Sequence, residues 1–499
     1  MQYIINILNK SLCILFFFFG LFLILKNNQD LHNLQILFVI FIFVTTTTLI
    51  FYSIFQPNNI GELPIIYLFN LYFLICYLGT FFFDKHAIFL HNNITLNDFS
   101  LTINYLFLGY FSFLGGYYLT KLLLKNFKRK SFTYLNCSNN EILILGVATL
   151  SSTIILFYFF KIQENFAFLA QIKYPLLLFG TGLSFYCLVE TKNKNMFFYI
   201  FLLLILSIPI ILEILSGSFN FPFMIIFLLY IYYSILKKRI NLIPFLIIVI
   251  TFLFIHTGKY EYRSKTWNQT WVNKSIDKSA YEKSKSFVET YFFKKELHAP
   301  TNSISKDYFT YRSVINKIFN INFINRKDNY RLERRVFHSY WSLLIVTKKT
   351  PNQIPYWDGY SYKILATKII PRVFWKEKPS DTLGNEFGHR YNVLTKETKK
   401  TNKDLTTSWN MPVLNEFYVN FGKWGIIAGM IFLGIIFCFL TKLFSIKEKN
   451  NLESVISFFI FVPLFFMESH LSLLFGAIFQ SYFFLLIFSF SSVYILRKL

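Results

Sequence analysis

Four segments of the chain combine basic, acidic and aromatic residues in patterns suited to binding a phosphate and activating a hydroxyl group. They are residues 258–263 (GKYEYR), 330–341 (YRLERRVFHSYW), 369–391 (from IIPRVFWKEKP to GNEFGHRY) and 407–422 (TSWNMPVLNEFYVNFG). The planar guanidinium of arginine forms parallel, charge-assisted hydrogen bonds to phosphate oxygens and stays protonated at neutral pH. The segments therefore predict an anionic, phosphate-bearing ligand.

The 369–379 segment is the strongest candidate for a phosphate clamp. It carries three basic side chains within seven residues, at Arg372, Lys376 and Lys378. Fixed positive charge stabilises a leaving group on which negative charge grows. The alternative for Arg372 is a surface ion pair with Glu377 or Asp381. Two further basic residues are candidates to join the clamp after folding, and they are Arg263 and Arg335.

An attacking hydroxyl group also profits from a nearby general base. Four side chains are candidates, and the sequence leaves the choice among them open: His338, Glu386, His389 and Glu416. Helical spacing predicts a basic stripe along one helix face, made of Arg331, Arg334, Arg335 and His338. A helix would also bring three residues spaced four apart to one side: Pro412, Glu416 and Asn420.

These segments belong to a chain built mainly from apolar blocks of membrane length. Of the 499 residues, 54% are hydrophobic and 65 are Phe. The blocks run for roughly 18–24 residues, which is the length of a helix that crosses a bilayer. We predict an all-α, polytopic membrane protein with about twelve spans: 11–26, 34–55, 63–83, 103–124, 141–161, 174–190, 196–216, 219–236, 240–256, 422–443, 453–468 and 471–495.

The basic residues of the short loops predict the orientation. With a cytoplasmic N-terminus, every basic short loop falls on the cytoplasmic side, as the positive-inside rule requires. These loops are 125–130 (KNFKRK), 191–195 (TKNKN), 237–239 (KKR), 442–449 and the terminal 497–498. We therefore predict that both termini are cytoplasmic.

One long stretch without a span interrupts this pattern on the outer side. Residues 257–421 contain 29 Lys and Arg against 15 Asp and Glu, so about +14 of the net charge of +24 lies there. We predict nine transmembrane helices in 1–256, an external loop domain in 257–421 and three further helices in 422–499. The basic loop calls for an anionic partner, and anionic lipid headgroups at the membrane surface are the alternative to a specific ligand.

The motifs of residues 369–425 resemble the bacterial O-antigen polymerase (Wzy-type) or oligosaccharide repeat unit polymerase family. Members typically carry an I-P-R-x-x-W-x-x-K-P segment, matched here by IIPRVFWKEKP. A T-S-x-x-x-P-x-x-x-E-x-Y-x-N-F-G segment follows just before a late span, matched by TSWNMPVLNEFYVNFG. The many-span layout with one long late external loop extends the resemblance over most of the chain.

The resemblance implies a GT-C-like fold and a processive glycosyl transfer at the outer face of the bacterial inner membrane. The expected substrates are undecaprenyl-pyrophosphate-linked oligosaccharides, with no metal and no other cofactor. Membrane lipids and a chain-length regulator protein are the other expected partners, and nucleic acid is not one. The expected catalytic residues are Arg372, Glu416, His389 and His338. The expected pyrophosphate and sugar ligands are Lys376, Lys378, Arg390, Tyr391, Arg263, Arg335, Ser408, Tyr418 and Asn420.

Two other activities stay open on the sequence. An O-antigen ligase shares this architecture but transfers the glycan to the lipid A core. A flippase for lipid-linked oligosaccharides would need a continuous polar path through its helices, and charged residues inside the predicted spans are sparse. No G-x-x-x-x-G-K-[ST] motif supports ATP-driven transport.

Overall fold

The described part of the chain is helical. The computed structural model describes residues 2–55, 65–82, 94–127, 132–162, 170–191, 195–238, 240–266, 280–291, 326–368, 381–394, 409–444, 451–459 and 467–498, together with residues 370, 375 and 377. Within these ranges no β-strand occurs. The predicted all-α class is confirmed.

Eight α-helices lie in the first half of the described chain: α1 (Gln2–Asn27), α2 (Asn33–Phe55), α3 (Ile65–Cys76), α4 (Leu96–Leu123), α5 (Asn139–Ile154), α6 (Ala170–Glu190), α7 (Met196–Leu215) and α8 (Asn220–Leu236). Eight more follow: α9 (Leu242–Thr266), α10 (Ala280–Tyr291), α11 (Arg326–Lys349), α12 (Tyr360–Lys368), α13 (Leu383–Arg390), α14 (Val413–Leu443), α15 (Asn451–Phe459) and α16 (Leu471–Lys498). A 3₁₀ turn at Leu78–Phe82 follows α3, and a π-helical turn at Ile155–Phe159 extends α5.

Seven helices in the described ranges are long and apolar enough to cross a membrane. Their apolar parts are Ile7–Asn27, Asn33–Tyr52, Asn139–Phe159, Ile172–Glu190, Met196–Leu215, Val413–Leu443 and Leu471–Lys498. Many of their large apolar side chains are exposed, which suits a lipid environment rather than water. The chain is thus a helical protein with several membrane-length apolar helices, as predicted.

The chain forms two compact units. The first contains residues 1–205, 232–240 and 336–499, and the second contains residues 206–231 and 241–335. In the second unit, an aromatic core packs Phe219, the residue before α8, against Tyr262 on α9 and against Phe287 and Tyr291 on α10. All predicted site residues except Arg263 and Arg335 lie within the bounds of the first unit.

The first unit is organised around the close contact between α4 and α14. A Cβ atom at Gly116 would overlap the main-chain oxygen of Ile431, and one at Gly434 would overlap that of Phe113. Small residues let helix backbones approach this closely in membranes, where packing replaces the hydrophobic effect as the driving force. The two glycines therefore set the distance between α4 and α14.

Replacing Gly116 by Leu should destabilise the first unit, because the backbone of α14 cannot make room for a side chain. Overpacking of this kind costs about 1–3 kcal/mol or more. Gly115→Leu is the matched control, since Gly115 is exposed and no atom lies within 4 Å of a Cβ built there. Thermal unfolding in detergent should show a lower Tm for Gly116→Leu alone. Equal Tm values for the two variants would contradict the packing assigned to α4 and α14.

Helix α14 is interrupted near its first quarter. Phe421 has φ −141° and ψ 20°, and Gly422 has φ 61° and ψ −143°, so neither residue is helical. Only glycine adopts the Gly422 conformation without strain. The break divides α14 into a short first part, residues 413–420, and a longer apolar part that continues to Leu443.

Candidate functional site

The first part of α14 is a buried helix that carries polar side chains in several directions. Asn415, Glu416 and Asn420 have no exposed surface, and Tyr418 is 3% exposed. Buried polar groups need hydrogen-bond partners because desolvation is otherwise uncompensated. Asn415 Nδ2 donates to the hydroxyl of Ser342 on α11. Helix α14 thus gains its first fixed contact with a neighbouring element.

Asn420 and Tyr418 fasten the same helix to two further elements. Asn420 Nδ2 donates to Ser361 Oγ on α12 at 2.9 Å, and its Oδ1 accepts from the Gly359 main-chain N at 3.0 Å. The Tyr418 hydroxyl donates to the Thr350 main-chain oxygen at 3.2 Å. These contacts give both side chains a positioning role, and their predicted role as substrate ligands stays a prediction.

Glu416 is the one carboxylate of this buried helix. Its Oε2 accepts a hydrogen bond of 2.7 Å from the Leu471 main-chain N, at the start of α16. A helix N-terminus carries unpaired N–H groups and a partial positive charge, so it stabilises a carboxylate there. Within the described ranges Oε1 has no hydrogen-bond partner. The group therefore has one anchored oxygen and one oxygen that is buried near the Ser361 hydroxyl.

A second carboxylate, Asp381, reaches the same end of α16. Its Oδ1 is hydrogen bonded to His470 Nε2 at 2.9 Å, and its Oδ2 accepts from Ser472 Oγ at 2.6 Å. Lys368, at the end of α12, places Nζ 3.2 Å from Oδ2, and the two side chains of this ion pair are 14% and 8% exposed. Burial alone would raise the pKa of Asp381, but His470, Ser472 and Lys368 together hold it well below its ordinary value.

Replacing Asp381 by Asn should lower the free energy of unfolding by on the order of 3 kcal/mol at pH 7, because Lys368 would keep a buried charge without its partner. The folded state holds the Asp381 pKa below the unfolded value, so this contribution is complete above a pH of about 4 and decreases as pH falls further. Unfolding of both proteins in detergent between pH 7 and pH 3 measures the difference, which should shrink only below about pH 4.

Glu190→Gln is the matched control for that experiment. Glu190 pairs with Lys237 at 3.0 Å, but the two side chains are 35% and 29% exposed. An exposed pair contributes about 0–1 kcal/mol. An Asp381→Asn variant as stable as the wild type, or a difference that grows on acidification, would contradict the ion pair described here.

The two residues that flank the 369–379 segment and one residue of the 407–422 segment meet at the N-terminus of α16. Lys368 and Asp381 flank the 369–379 segment and bind each other beside His470 and Ser472. Glu416 belongs to the 407–422 segment and binds the intervening main-chain N of Leu471. Asp381 and Glu416, which are far apart in the sequence, therefore converge on three consecutive residues of one helix end.

Helix α13 carries three of the predicted residues and the next one follows it. The Tyr391 hydroxyl is 2.6 Å from Thr350 Oγ1, and its main-chain oxygen accepts from Lys349 Nζ at 2.8 Å. Arg390 donates from Nη2 to the main-chain oxygen of Pro355. His389 is half-buried. Tyr391 thus anchors α13 to the end of α11.

His338 and Arg263 lie in different surroundings. His338 stacks on Trp409 with ring centroids 4.8 Å apart, and Trp409 also contacts Trp341. Arg263, in the second unit, donates from Nε to the main-chain oxygen of Gly217 at 2.8 Å, just beyond α7. A cation at a helix C-terminus stabilises the unpaired carbonyl groups.

Five predicted residues lie outside what the structure describes. Arg335 falls within α11, but its side chain is outside the described side chains. The other four lie outside the described residues altogether: Arg372, Lys376, Lys378 and Ser408. Their predicted roles stay predictions.

Sequence reasoning missed His470, Lys368 and Ser472 and considered Asp381 only as a partner of Arg372. His470 stands alone between two apolar blocks, and no spacing pattern connects it to Asp381, 89 residues away. Its one signal is that a polar Glu-Ser-His sequence precedes a membrane-length helix. In the described ranges, no three His, Cys, Asp or Glu side chains are grouped as ligands of a metal ion.

Comparison of the chain with models of protein families, with curated proteins and with solved structures finds no match.

Proposed function

We propose that this protein polymerises undecaprenyl-pyrophosphate-linked oligosaccharide repeat units during the synthesis of a surface polysaccharide. One observation carries the proposal: Glu416 of the 407–422 segment and the two residues that flank the 369–379 segment, Lys368 and Asp381, converge on the N-terminus of α16. Glu416 supplies a buried carboxylate whose Oε1 has no hydrogen bond within the usual distance among the described residues, and the sequence between Lys368 and Asp381 carries the cluster of basic residues. A base for a hydroxyl group and cations for a pyrophosphate are the two requirements of glycosyl transfer from a lipid pyrophosphate.

In the proposed reaction, a hydroxyl oxygen of the incoming repeat unit attacks the anomeric carbon of the reducing-end sugar of the growing chain. The new glycosidic C–O bond forms as the bond from that carbon to the pyrophosphate oxygen breaks. Undecaprenyl pyrophosphate leaves with the bonding electron pair, and Arg372, Lys376 and Lys378 stabilise its negative charge. The proton of the attacking hydroxyl passes to Oε1 of Glu416.

Glu416 is preferred to the other base candidates because of its surroundings. His338 is stacked on Trp409, and Glu386 accepts a hydrogen bond from Thr382. His389, on the same helix as Glu386, is half-buried. Glu416 combines an anchored oxygen, a second buried oxygen and a position beside the flanks of the 369–379 segment.

We also propose a membrane topology for the protein. The protein is placed in the bacterial inner membrane with about twelve spans and both termini in the cytoplasm. Residues 257–421 then lie at the outer face, where lipid-linked repeat units await polymerisation. The basic short loops on one side support this orientation. A chain-length regulator protein is the proposed protein partner.

Deletion of the gene in its own host tests this function against its alternatives. We expect single lipid-linked repeat units to accumulate at the outer face, accessible to a glycosidase or a lectin added to intact spheroplasts. Accumulation of single units at the cytoplasmic face would instead indicate a flippase. Accumulation of long lipid-linked chains would indicate a ligase.

A further inference from the structure

A tight turn next to the candidate site presents two aromatic rings. In the sequence WDGY, the main-chain oxygen of Trp357 accepts from the Tyr360 N at 2.9 Å. Asp358 and Gly359 have φ values of 49° and 83°, as in the type I′ turn that Asp-Gly favours. The sequence thus determines a rigid turn that brings Trp357 and Tyr360 together.

Two hydrogen bonds fasten this turn to the buried part of α14. The Trp357 N donates to the main-chain oxygen of Val419 at 2.9 Å, and the Gly359 N donates to Asn420 Oδ1 at 3.0 Å. The turn is therefore fixed relative to Glu416, four residues before Asn420 on the same helix.

The rings of the turn form an aromatic corner that is partly open. The Trp357 and Tyr360 centroids are 5.9 Å apart with the planes at 69°. The Trp357 side chain is only 8% exposed, whereas the Tyr360 side chain is 40% exposed. The Arg390 guanidinium lies over the Trp357 ring, 5.7 Å from its centroid. A cation above an indole ring is attracted by the ring face and is thereby held in place.

Polar groups of α13 complete the corner. The Tyr360 hydroxyl lies beside the Glu386 carboxylate, and burial followed by that negative charge raises the pKa of Tyr360. Thr382 Oγ1 donates to Glu386 Oε1, which fixes the carboxylate. Arg390 follows Glu386 by one helical turn, and its guanidinium, held by the Nη2 hydrogen bond to the main-chain oxygen of Pro355, is half-buried. The corner thus combines an exposed ring, an acceptor and a donor.

We propose that Trp357, Tyr360, Glu386 and Arg390 form a saccharide-binding subsite, and this inference rests on the proposed function for the identity of the glycan. A sugar ring packs its apolar C–H face on an exposed aromatic ring, while its hydroxyl groups need both acceptors and donors at fixed positions. Glu386 supplies the acceptor and Arg390 the donor.

The charges of the corner favour a sugar over a pyrophosphate. Glu386 and Arg390 are one helical turn apart and carry opposite charges, so their net charge is zero. A pyrophosphate would meet the negative charge of Glu386, whereas a hydroxyl group can bond to either residue. Arg390 is thereby assigned to the glycan and not to the pyrophosphate.

The test uses the full-length protein in nanodiscs and one probe, the repeat-unit oligosaccharide released without lipid from the host's own surface polysaccharide. We expect Tyr360→Ala to weaken binding of this oligosaccharide by about fivefold to tenfold, because the stacking face is lost. Tyr360→Phe keeps the ring and should change the Kd by less than about threefold. Glu386→Gln should weaken binding through the lost ionic acceptor.

Tyr281→Ala is the matched control, because Tyr281 is 77% exposed on α10 in the second unit. Its Kd should equal that of the wild type. Equal Kd values for Tyr360→Ala and the wild type, or equal losses in Tyr360→Ala and Tyr281→Ala, would overturn the subsite.

The same variants separate the subsite from the proposed function. A wild-type protein that binds the oligosaccharide but forms no polymer from lipid-linked units would retain the subsite and refute the polymerase. A protein that polymerises, with Tyr360→Ala showing the wild-type KM for the incoming unit, would retain the polymerase and refute the subsite.

Discussion

Glu416→Gln is expected to reduce the rate of repeat-unit polymerisation by about 10²–10⁴-fold, the usual contribution of a general base. The glutamine side chain has nearly the same volume, and its amide oxygen can still accept from the Leu471 N. It cannot take a proton from an attacking hydroxyl. The variant therefore separates the chemical role of Oε1 from the structural role of Oε2. Single-turnover assays with lipid-linked repeat units in proteoliposomes measure the change.

Glu453→Gln is the matched control for the loss of a buried carboxylate. Glu453 on α15 is 2% exposed and, like Glu416, accepts from a main-chain N, that of Phe132, at 2.9 Å. It belongs to neither motif segment, so its replacement should leave the polymerisation rate unchanged. Wild-type turnover in a stably folded Glu416→Gln protein would refute the assignment of the base.

Arg372→Ala is expected to abolish long chains while the protein still inserts into the membrane. Removal of one preorganised donor to a developing negative charge costs about 10²–10³-fold in rate. A processive polymerase repeats this step for every unit, so the loss shortens the product as well as slowing it. The length distribution of surface polysaccharide in cells that carry the variant, resolved by gel electrophoresis, provides the measurement.

Arg372→Lys distinguishes charge from geometry at this position. Lysine keeps the positive charge but lacks the planar fork that binds two phosphate oxygens at once. We expect intermediate chain lengths for this variant. Normal chain length in the Arg372→Ala variant would show that Arg372 has no role in the reaction, and would favour the alternative of a surface ion pair.

The sequence predicts the helices correctly where a continuous apolar block marks them. The predicted span 11–26 lies within α1, which extends beyond it because main-chain hydrogen bonds continue into polar residues. The helical spacing of His338 with its neighbouring arginines, and of Glu416 with Asn420, is confirmed by α11 and α14. Pro412, predicted on the same helix as Glu416, instead precedes α14 as its N-cap residue. These are local patterns, and a helix is stabilised by local hydrogen bonds.

The predicted span 422–443 missed the first part of α14 because that part is polar. Its Asn and Glu side chains are buried only because α11, α12 and α16 supply partners from elsewhere in the chain. Hydropathy reports the cost of burying such groups but not their compensation by distant residues. Apolar blocks in the sequence therefore do not indicate where a buried polar helix begins.

The centre of the candidate site was predictable only in part. Glu416 stood out because of its motif, but the Asp381–His470 contact joins residues that share no pattern in the sequence. Only one part of the aromatic corner is predictable from the sequence. The Asp-Gly pair indicates a tight turn, but nothing in the sequence indicates that Arg390 lies over Trp357. Both features depend on tertiary contacts between segments that are distant in the sequence, and no local spacing pattern of residues indicates such contacts.

The most direct test of the central claim is reconstitution of the purified protein in proteoliposomes with undecaprenyl-pyrophosphate-linked repeat units as the sole substrate and with EDTA present. We predict a ladder of products, each longer by one repeat unit, and release of undecaprenyl pyrophosphate in equal amount to the bonds formed. Repeat units that stay single, or that merely cross the bilayer, would contradict the polymerase function.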